Sequence, residues 1–146
     1  MTTWGLTFTR VDMTSIEAVK AAFQPNTRLV WIETPSNPLL KIVDIQSIAD
    51  FARQHNAISV CDNTWATPVL QRPLALGADL VIHSATKYLD GQGRVLGGAV
   101  CGASRHVDEV FKFLRTAGPC ISPFNAWVIL KGLETLSIRM AAQSAA

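Results

Sequence analysis

Short apolar runs alternate with amphipathic segments along this chain of 146 residues. Runs of strand length occur at Leu29–Ile32, Ile58–Cys61, Leu80–His83 and Gly97–Cys101. Thr7–Val11 alternates weakly and predicts one more short strand. Strands that alternate with helices form parallel sheets whose faces the helices cover. The sequence therefore predicts an α/β fold, with a mainly parallel sheet covered by helices on both faces.

The helices are predicted from the spacing of apolar residues and from their capping residues. Thr14 or Ser15 can cap a helix that ends near Phe23. Asp44 can cap a second helix, which runs to about His55. The remaining segments predicted to be helical, the first of them only a brief helix or turn, are Pro68–Leu76, Ser104–Leu114 and Pro123–Met140.

Composition and charge exclude several classes of function. The net charge is +2 and no long run of Lys or Arg occurs, which argues against nucleic-acid binding. No apolar stretch approaches the length of a membrane span, and the start, MTTWG, lacks the features of a signal peptide. We therefore expect a cytoplasmic protein with no membrane partner. Of the residues, 49% are hydrophobic and 16% are charged. The chain therefore either has a large core and little surface, or it buries apolar faces against partners or against a part of the protein that is missing from it.

The cysteines and histidines give little support to a disulfide or metal site. Cys61, Cys101 and Cys120 are far apart and odd in number, which argues against a disulfide framework and against structural zinc. Cys61 and Cys101 lie in apolar runs, so we expect buried free thiols there. The histidines show no metal-ligand spacing, and no metal site is predicted.

Polar side chains follow three of the predicted strands. Asn37 lies in a proline-rich loop after the first, Asp62 closes the second, and Ser84–Lys87 follows the third. Because ligands of parallel sheets bind at the carboxyl ends of the strands, we expect these residues on one rim of the sheet. An amine, two hydroxyls and a carboxylate on one rim could hold pyridoxal phosphate, through its aldehyde, its phosphate and its ring nitrogen respectively.

Each of these residues also has an ordinary interpretation. A lysine is usually a solvated surface residue, and Ser84 and Thr86 could merely form a turn. Asp62 could be a helix cap or an ion-pair partner, and Asn37 could be a turn residue. Thr64 could hold the Asp62 carboxylate by a hydrogen bond, and we include it among the cofactor-binding candidates. A nicotinamide-binding domain is disfavoured because no G-x-G-x-x-G opens a helix after the first strand.

Three motifs together carry a resemblance to a known family. They are Glu33–Pro38 (ETPSNP), Cys61–Pro68 (CDNTWATP) and His83–Tyr88 (HSATKY). In this order and spacing they resemble the signatures of the Cys/Met-metabolism (trans-sulfuration) family of pyridoxal-phosphate-dependent enzymes. This family includes cystathionine γ-synthase, cystathionine lyases, methionine γ-lyase and the homoserine-ester sulfhydrylases. The resemblance covers essentially the whole chain.

The resemblance implies a partial fold-type I large domain and a role for each candidate residue. Lys87 would form the Schiff base with pyridoxal 5'-phosphate and act as the catalytic residue. Asp62 would pair with the pyridine nitrogen, and Ser84 and Thr86 would bind the phosphate. Asn37 would lie near the ring oxygen of the cofactor.

Two further segments resemble one branch of the family. Asp90–Gly98 and Phe113–Pro119, with Ser122–Trp127 after them, look most like the O-succinylhomoserine sulfhydrylases. This implies a γ-replacement that converts O-succinylhomoserine and sulfide to homocysteine in methionine biosynthesis, as part of a longer enzyme. Cystathionine γ-synthase-like or methionine γ-lyase-like activity is the alternative. The expected partners are a small amino-acid substrate and further copies of the chain, as a tetramer.

Members of this family are longer than this chain. The resemblance implies that residues 1–146 are the central part of the large domain that binds pyridoxal phosphate. It also implies that the amino-terminal arm and the carboxy-terminal domain of the family are absent, with the residues that stack on the ring and grip the substrate carboxylate. An alternative of another class is therefore a catalytically inert fragment or an association module.

Overall fold

The computed structural model describes residues 4–146, which contain a four-stranded sheet with helices packed against it. The strands follow one another across the sheet in chain order: β1 (Leu29–Glu33), β2 (Ile58–Asp62), β3 (Leu80–Ser84) and β4 (Gly98–Gly102). The first three are parallel, and β4 runs antiparallel to β3. The prediction of an α/β fold with a mainly parallel sheet is confirmed.

Six helices accompany the strands within the described residues. They are α1 (Ile16–Ala22), α2 (Ile45–Gln54), α3 (Thr67–Leu70), α4 (Ser104–Ala117), α5 (Pro123–Leu133) and α6 (Leu136–Ala145). A single wide helical turn, Ala85–Leu89, follows β3 directly. No helix in the described part of the chain is both long enough and apolar enough to cross a membrane. Nor do residues 4–146 bring together three or more His, Cys, Asp or Glu side chains in a way that could hold a metal ion.

The main core lies between one face of the sheet and the first two helices. Val30 and Ile32 alternate with exposed residues along β1, and Cys61 of β2 is paired with Ile32 on the same face. The buried residues that pack with them come from α1, α2 and the segments beside the strands: Val19, Ile45, Ile48, Ala52, Ala57 and Ala78. On the opposite face of β1, Trp31 is 50% exposed. Helices α1 and α2 therefore cover the first face at β1 and β2, and the second face is partly open at β1.

A second, smaller core lies beside the wide turn after β3. Ala85 and Leu89 of the turn are buried against Leu136 and Met140 of α6. Tyr88 and Ile129 pack around this cluster. The carboxy-terminal helices therefore fix the segment that carries Lys87.

The structure corrects three expectations and adds one feature that the sequence does not predict, the direction of β4. Thr7–Val11 forms no strand, because it pairs with no neighbouring strand and its backbone groups are left without the ladder that a strand requires. The segment from Pro123 to Met140 is two helices, since Thr135 leaves the helical conformation. Strand β4 reverses direction, because no crossover helix stands between it and β3. Cys101 is exposed on this edge strand, whereas Cys61 is buried as expected.

Capping residues begin the first two helices as the sequence predicts. The Ser15 hydroxyl accepts a hydrogen bond from the N–H of Ala18 at 3.3 Å. Asp44 accepts bonds from both the hydroxyl and the N–H of Ser47, and these bonds hold the pKa of Asp44 below its ordinary value.

Asp44→Ala is expected to lower the free energy of unfolding by about 1 kcal/mol, because it leaves the first N–H groups of α2 without their cap. Urea denaturation of the variant measures this change. Asp108→Ala, on the exposed α4, is the matched control and should leave the midpoint unchanged. An unchanged midpoint for Asp44→Ala would mean that water satisfies this helix end equally well.

Candidate active site

A cavity of about 540 Å³ lies at the carboxyl ends of β1, β2 and β3. Every candidate residue lines it: Asn37, Asp62, Thr64, Ser84, Thr86 and Lys87. Six other residues line the cavity but are not among the candidates, although all except Gln143 lie in segments that the sequence analysis singles out: Glu33, Trp65, Tyr88, Gly91, Gly93 and Gln143. The expectation of a shared rim is therefore met in the structure. Tyr88 and Gly91 could have been predicted to line the cavity because they are close to Lys87 in the sequence. Gln143 could not, because it belongs to α6, which is far from Lys87 along the chain.

Parallel pairing brings the candidate residues together. Glu33 at the end of β1 is paired with Asp62 at the end of β2. Thr64 then links β2 to β3, because its N–H donates to Asp62 Oδ1 at 3.0 Å and its hydroxyl accepts from the N–H of Ser84 at 2.8 Å. The contact between Thr64 and Asp62 thus uses the backbone, and the Thr64 side chain holds the next strand end.

Asn37 reaches the cavity through the loop after β1. Its N–H donates to Glu33 Oε1 at 3.1 Å, which folds the loop back over the strand end. The Thr34 hydroxyl accepts from the N–H of Val43 at 3.1 Å and fixes the other side of the loop. The Asn37 side chain is exposed and therefore accessible to a ligand.

The hydroxyls of Ser84, the last residue of β3, and of Thr86, in the turn after it, differ in their partners. Thr86 Oγ1 accepts from the N–H of Gly97 at 3.1 Å and donates to the carbonyl of Gly97 at 3.3 Å. The Ser84 hydroxyl has no hydrogen-bond partner in residues 4–146. Ser84 can therefore donate to an anion at once, while Thr86 must first release the Gly97 carbonyl.

Lys87 lies in the wide turn with an unusual backbone conformation, φ −91° and ψ −117°. The turn is closed behind it by bonds from the N–H of Asp90 to the carbonyl of Ala85 at 2.9 Å and from the N–H of Gly91 to the carbonyl of Lys87 at 2.8 Å. The Lys87 amine is exposed and forms no hydrogen bond or ion pair within the part of the chain that the structure describes. It is therefore available to a ligand in the cavity.

Asp90 anchors the end of this turn from the interior. Its side chain is fully buried and accepts bonds from the N–H and Nε of Arg94 at 2.7 and 2.8 Å. Burial alone would raise the pKa of Asp90, but the bonds from Arg94 outweigh it and hold this pKa below its ordinary value.

Asp90→Asn is expected to lower the free energy of unfolding at neutral pH by about 2 kcal/mol, because bonds to a charged acceptor are lost. The folded-state pKa of Asp90 lies below that of an unfolded Asp, about 3.9. In the native protein this stability is therefore present above about pH 4 and is lost as the pH falls further towards the folded-state value. Thermal unfolding of both proteins is measured from about pH 3 to 7, and the melting temperature of Asp90→Asn should fall less steeply at acid pH than that of the native protein. Parallel curves would contradict the assignment.

Two buried groups lie beside Asp62: Cys61 on the same strand, β2, and His83 on the neighbouring strand, β3. Burial lowers the pKa of His83, against the opposing charge of Asp62, and His83 Nδ1 has no partner among residues 4–146. Burial and the negative charge of Asp62 raise the pKa of Cys61 to about 12. Both groups therefore stay uncharged at neutral pH, and neither competes with a ligand for the Asp62 carboxylate.

Known proteins share both this sequence and this arrangement. The chain is 54% identical over 142 residues to an O-succinylhomoserine sulfhydrylase of Pseudomonas aeruginosa and covers 35% of that protein. It is 46% identical over 140 residues to a cystathionine γ-synthase of Mycobacterium leprae and covers 36% of it. It superposes with a TM-score of 0.88 and 43% identity on the crystal structure of a cystathionine γ-lyase from Lactobacillus plantarum complexed with L-serine. The superposition covers 92% of this chain and 36% of the lyase chain.

The chain thus spans about a third of the length of each of these relatives. The relatives are trans-sulfuration enzymes with different named reactions. The family model for Cys/Met metabolism PLP-dependent enzymes matches residues 1–146. The chain therefore belongs to the Cys/Met metabolism family of pyridoxal-phosphate-dependent enzymes.

Proposed function

We propose that residues 1–146 form the central part of the cofactor-binding large domain of a trans-sulfuration enzyme. The observation that carries this proposal is that Lys87, Asp62, Ser84 and Thr86 line one cavity at the carboxyl ends of three parallel strands. An amine, a carboxylate and two hydroxyls at such a site are the groups that pyridoxal phosphate requires.

The cavity fits this cofactor in size and in chemistry. Its volume of about 540 Å³ lies within the range of small-molecule sites, roughly 300 to 1,000 Å³. Gly91 and Gly93 line the cavity without adding side chains that would reduce its volume. The unpaired hydroxyl of Ser84 supplies a donor for a phosphate oxygen.

When bound, pyridoxal phosphate supplies an electron sink that stabilises negative charge on carbon atoms of an amino acid. Lys87 would bind the aldehyde carbon through Nζ, and once the amino group of the substrate had displaced it from that carbon, the freed amine would move protons at the α-carbon of the substrate. The Asp62 carboxylate would hold the proton on the ring nitrogen. Ser84 and Thr86 would donate hydrogen bonds to the phosphate, for which Thr86 would give up its bond to the Gly97 carbonyl.

Asn37 and Thr64 have supporting roles in this proposal. The Asn37 amide lines the cavity and would help to orient the cofactor ring through its ring oxygen. Thr64 holds the ends of β2 and β3 at a fixed separation through its bonds to Asp62 and Ser84. Asp62 and Ser84 then meet the two ends of one ligand without rearrangement.

The reaction that we propose for the whole enzyme is γ-replacement on O-succinylhomoserine. The bond between the γ-carbon and the succinyl oxygen breaks, a carbon–sulfur bond to sulfide forms, and the products are homocysteine and succinate. The 54% identity to the Pseudomonas sulfhydrylase supports this choice. The 46% identity to a cystathionine γ-synthase supports the alternative, in which cysteine is the acceptor.

A pair of chimaeric enzymes tests the reaction. Residues of this chain replace the matching segment of the Pseudomonas sulfhydrylase and, separately, of the Mycobacterium synthase. Each chimaera receives O-succinylhomoserine with sulfide or with cysteine, and the products are identified by mass spectrometry. We expect homocysteine from sulfide in the first chimaera and a shift towards sulfide in the second. Folded chimaeras without turnover would contradict the proposal, and a shift of both towards cysteine would favour the alternative.

Self-association stays a prediction of the same proposal. Large apolar side chains are exposed along the carboxy-terminal half of the chain, at Phe111, Phe113, Phe124, Trp127 and Ile138. Such a concentration of exposed apolar residues is typical of a surface that a partner or another part of the protein covers.

A further inference from the structure

Arg139 of α6 contacts the turn that carries Lys87, although about fifty residues separate the two along the chain. Its Nη1 donates to the carbonyl of Tyr88 at 2.9 Å, a separation of 51 residues. Its Nη2 donates to the carbonyl of Leu89 at 3.5 Å and to that of Gly132 at 2.8 Å. One guanidinium thus ties the turn to the junction between α5 and α6.

The Arg139 guanidinium donates to three backbone carbonyls and to one hydroxyl. The guanidinium forms no ion pair with a carboxylate among residues 4–146, and its remaining bond, from Nε to the Thr135 hydroxyl at 3.1 Å, orients it from its own helix. The last carbonyls of a helical turn lack partners within the turn. A planar fork of charged donors satisfies several of them together, with greater strength than neutral donors would.

Two glycines permit close contacts around the Lys87 turn that a side chain would block. A Cβ at Gly91, which has a φ of +78°, would overlap the Arg139 guanidinium. A Cβ at Gly132 would overlap the carbonyl of Leu89 and come within 2.7 Å of that of Asp90. Gly91 also lines the cavity, so the guanidinium lies directly behind the cavity wall. The close approach at both glycines leaves the turn little freedom to move while Arg139 is in place.

We propose that Arg139 is a positioning residue, which holds the Lys87 turn so that the Lys87 amine faces the cofactor site. This inference rests on the proposed function for its consequence, the reaction of Lys87 with pyridoxal phosphate. Arg139 lies outside the cavity lining and acts through the carbonyls of Tyr88 and Leu89.

The test compares the native chain with Arg139→Gln, Arg139→Lys and Arg115→Gln, the last a matched control on the exposed α4. Each protein is titrated with pyridoxal phosphate and reduced with borohydride, and the labelled lysines are identified by peptide mass spectrometry. We expect the concentration that half-saturates Lys87 to rise about tenfold in Arg139→Gln, the size of effect that the loss of a charged hydrogen bond produces. Arg139→Lys should recover part of the loss. Labelling of the exposed reference lysines should stay unchanged: Lys20, Lys41, Lys112 and Lys131.

Hydrogen exchange of the segment 85–91 is a second measurement that needs no cofactor. The N–H groups of Asp90 and Gly91 close the turn, and their exchange should be about tenfold faster in Arg139→Gln than in the Arg115→Gln control. If folded Arg139→Gln matches the native chain in Lys87 labelling and in exchange, the inference is wrong. If Arg139→Gln does not fold, Arg139→Lys decides: native labelling and exchange there would equally overturn the inference.

The two measurements separate this inference from the proposed function. A native chain in which Lys87 is labelled no better than the reference lysines would overturn the proposed function. The exchange rates would then still decide whether Arg139 holds the turn. Selective labelling of Lys87 in the native chain, with no change in Arg139→Gln, would overturn the role of Arg139 and leave the proposed function standing.

Discussion

Lys87→Ala is expected to abolish the selective, borohydride-stable adduct between this chain and pyridoxal phosphate. Lys87 is the one lysine among the residues that line the cavity, and its amine is free of ion pairs in the described part of the chain. The loss should be complete, because no other side chain of the cavity lining can form the same bond with an aldehyde. Intact-mass and peptide mass spectrometry after reduction measure the adduct.

A control separates chemistry from folding in this experiment. Removal of an exposed amine without hydrogen bonds should change the free energy of unfolding by no more than about 0.5 kcal/mol. Lys112→Ala, on the exposed α4, should keep the full adduct at Lys87. An undiminished adduct on Lys87→Ala, at whichever residue it forms, would refute the assignment of Lys87.

Asp62→Asn is expected to reduce turnover of the chimaeric enzyme by about 10²- to 10³-fold while Lys87 remains reactive towards pyridoxal phosphate. The amide has nearly the shape of the carboxylate and can still accept the bond from the N–H of Thr64. It lacks the negative charge that keeps a proton on the ring nitrogen, and this charge matters most when negative charge develops on the substrate. The loss should therefore fall mainly on kcat.

Steady-state kinetics and the labelling assay together decide this prediction. Asp50→Asn, on the exposed side of α2, changes the net charge equally and should leave kcat at the native value. A loss of Lys87 labelling as large as the loss of kcat would show that Asp62 serves to bind the cofactor and not to support the reaction. A native kcat would remove Asp62 from the mechanism.

The shared location of the candidate residues could be predicted because it depends on local order along the chain. Asp62 and Ser84 each end an apolar run, and parallel strands present their ends at one edge of a sheet. Knowledge of the strands therefore sufficed to bring these residues together. The accessible Ser84 hydroxyl and the free Lys87 amine are compatible with the predicted roles, which the labelling and kinetic experiments test.

The incorrect predictions concern segments whose structure depends on the elements packed beside them, about which the local sequence pattern gives no information. The weak alternation of Thr7–Val11 is compatible with a strand, but a strand also needs a partner for its backbone groups. Cys101 lies in an apolar run, yet β4 is an edge strand and leaves it exposed. The break at Thr135 lies close to Gly132, which packs against the carbonyls of Leu89 and Asp90, and helical periodicity carries no information about such a contact.

The positions of the strands along the chain, the helix caps and the chemical groups of the rim follow from the amino-acid sequence, because periodicity and capping are short-range properties. The antiparallel return of β4, the bridge from Thr64 to Ser84 and the hold of Arg139 on the turn required the folded chain. These features depend on which surfaces meet once the helices have packed. The amine of Lys87 could thus be identified as a candidate from the residues beside it in the sequence. The turn that carries it is held by the guanidinium of Arg139, which can come close because Gly91 and Gly132 have no side chains.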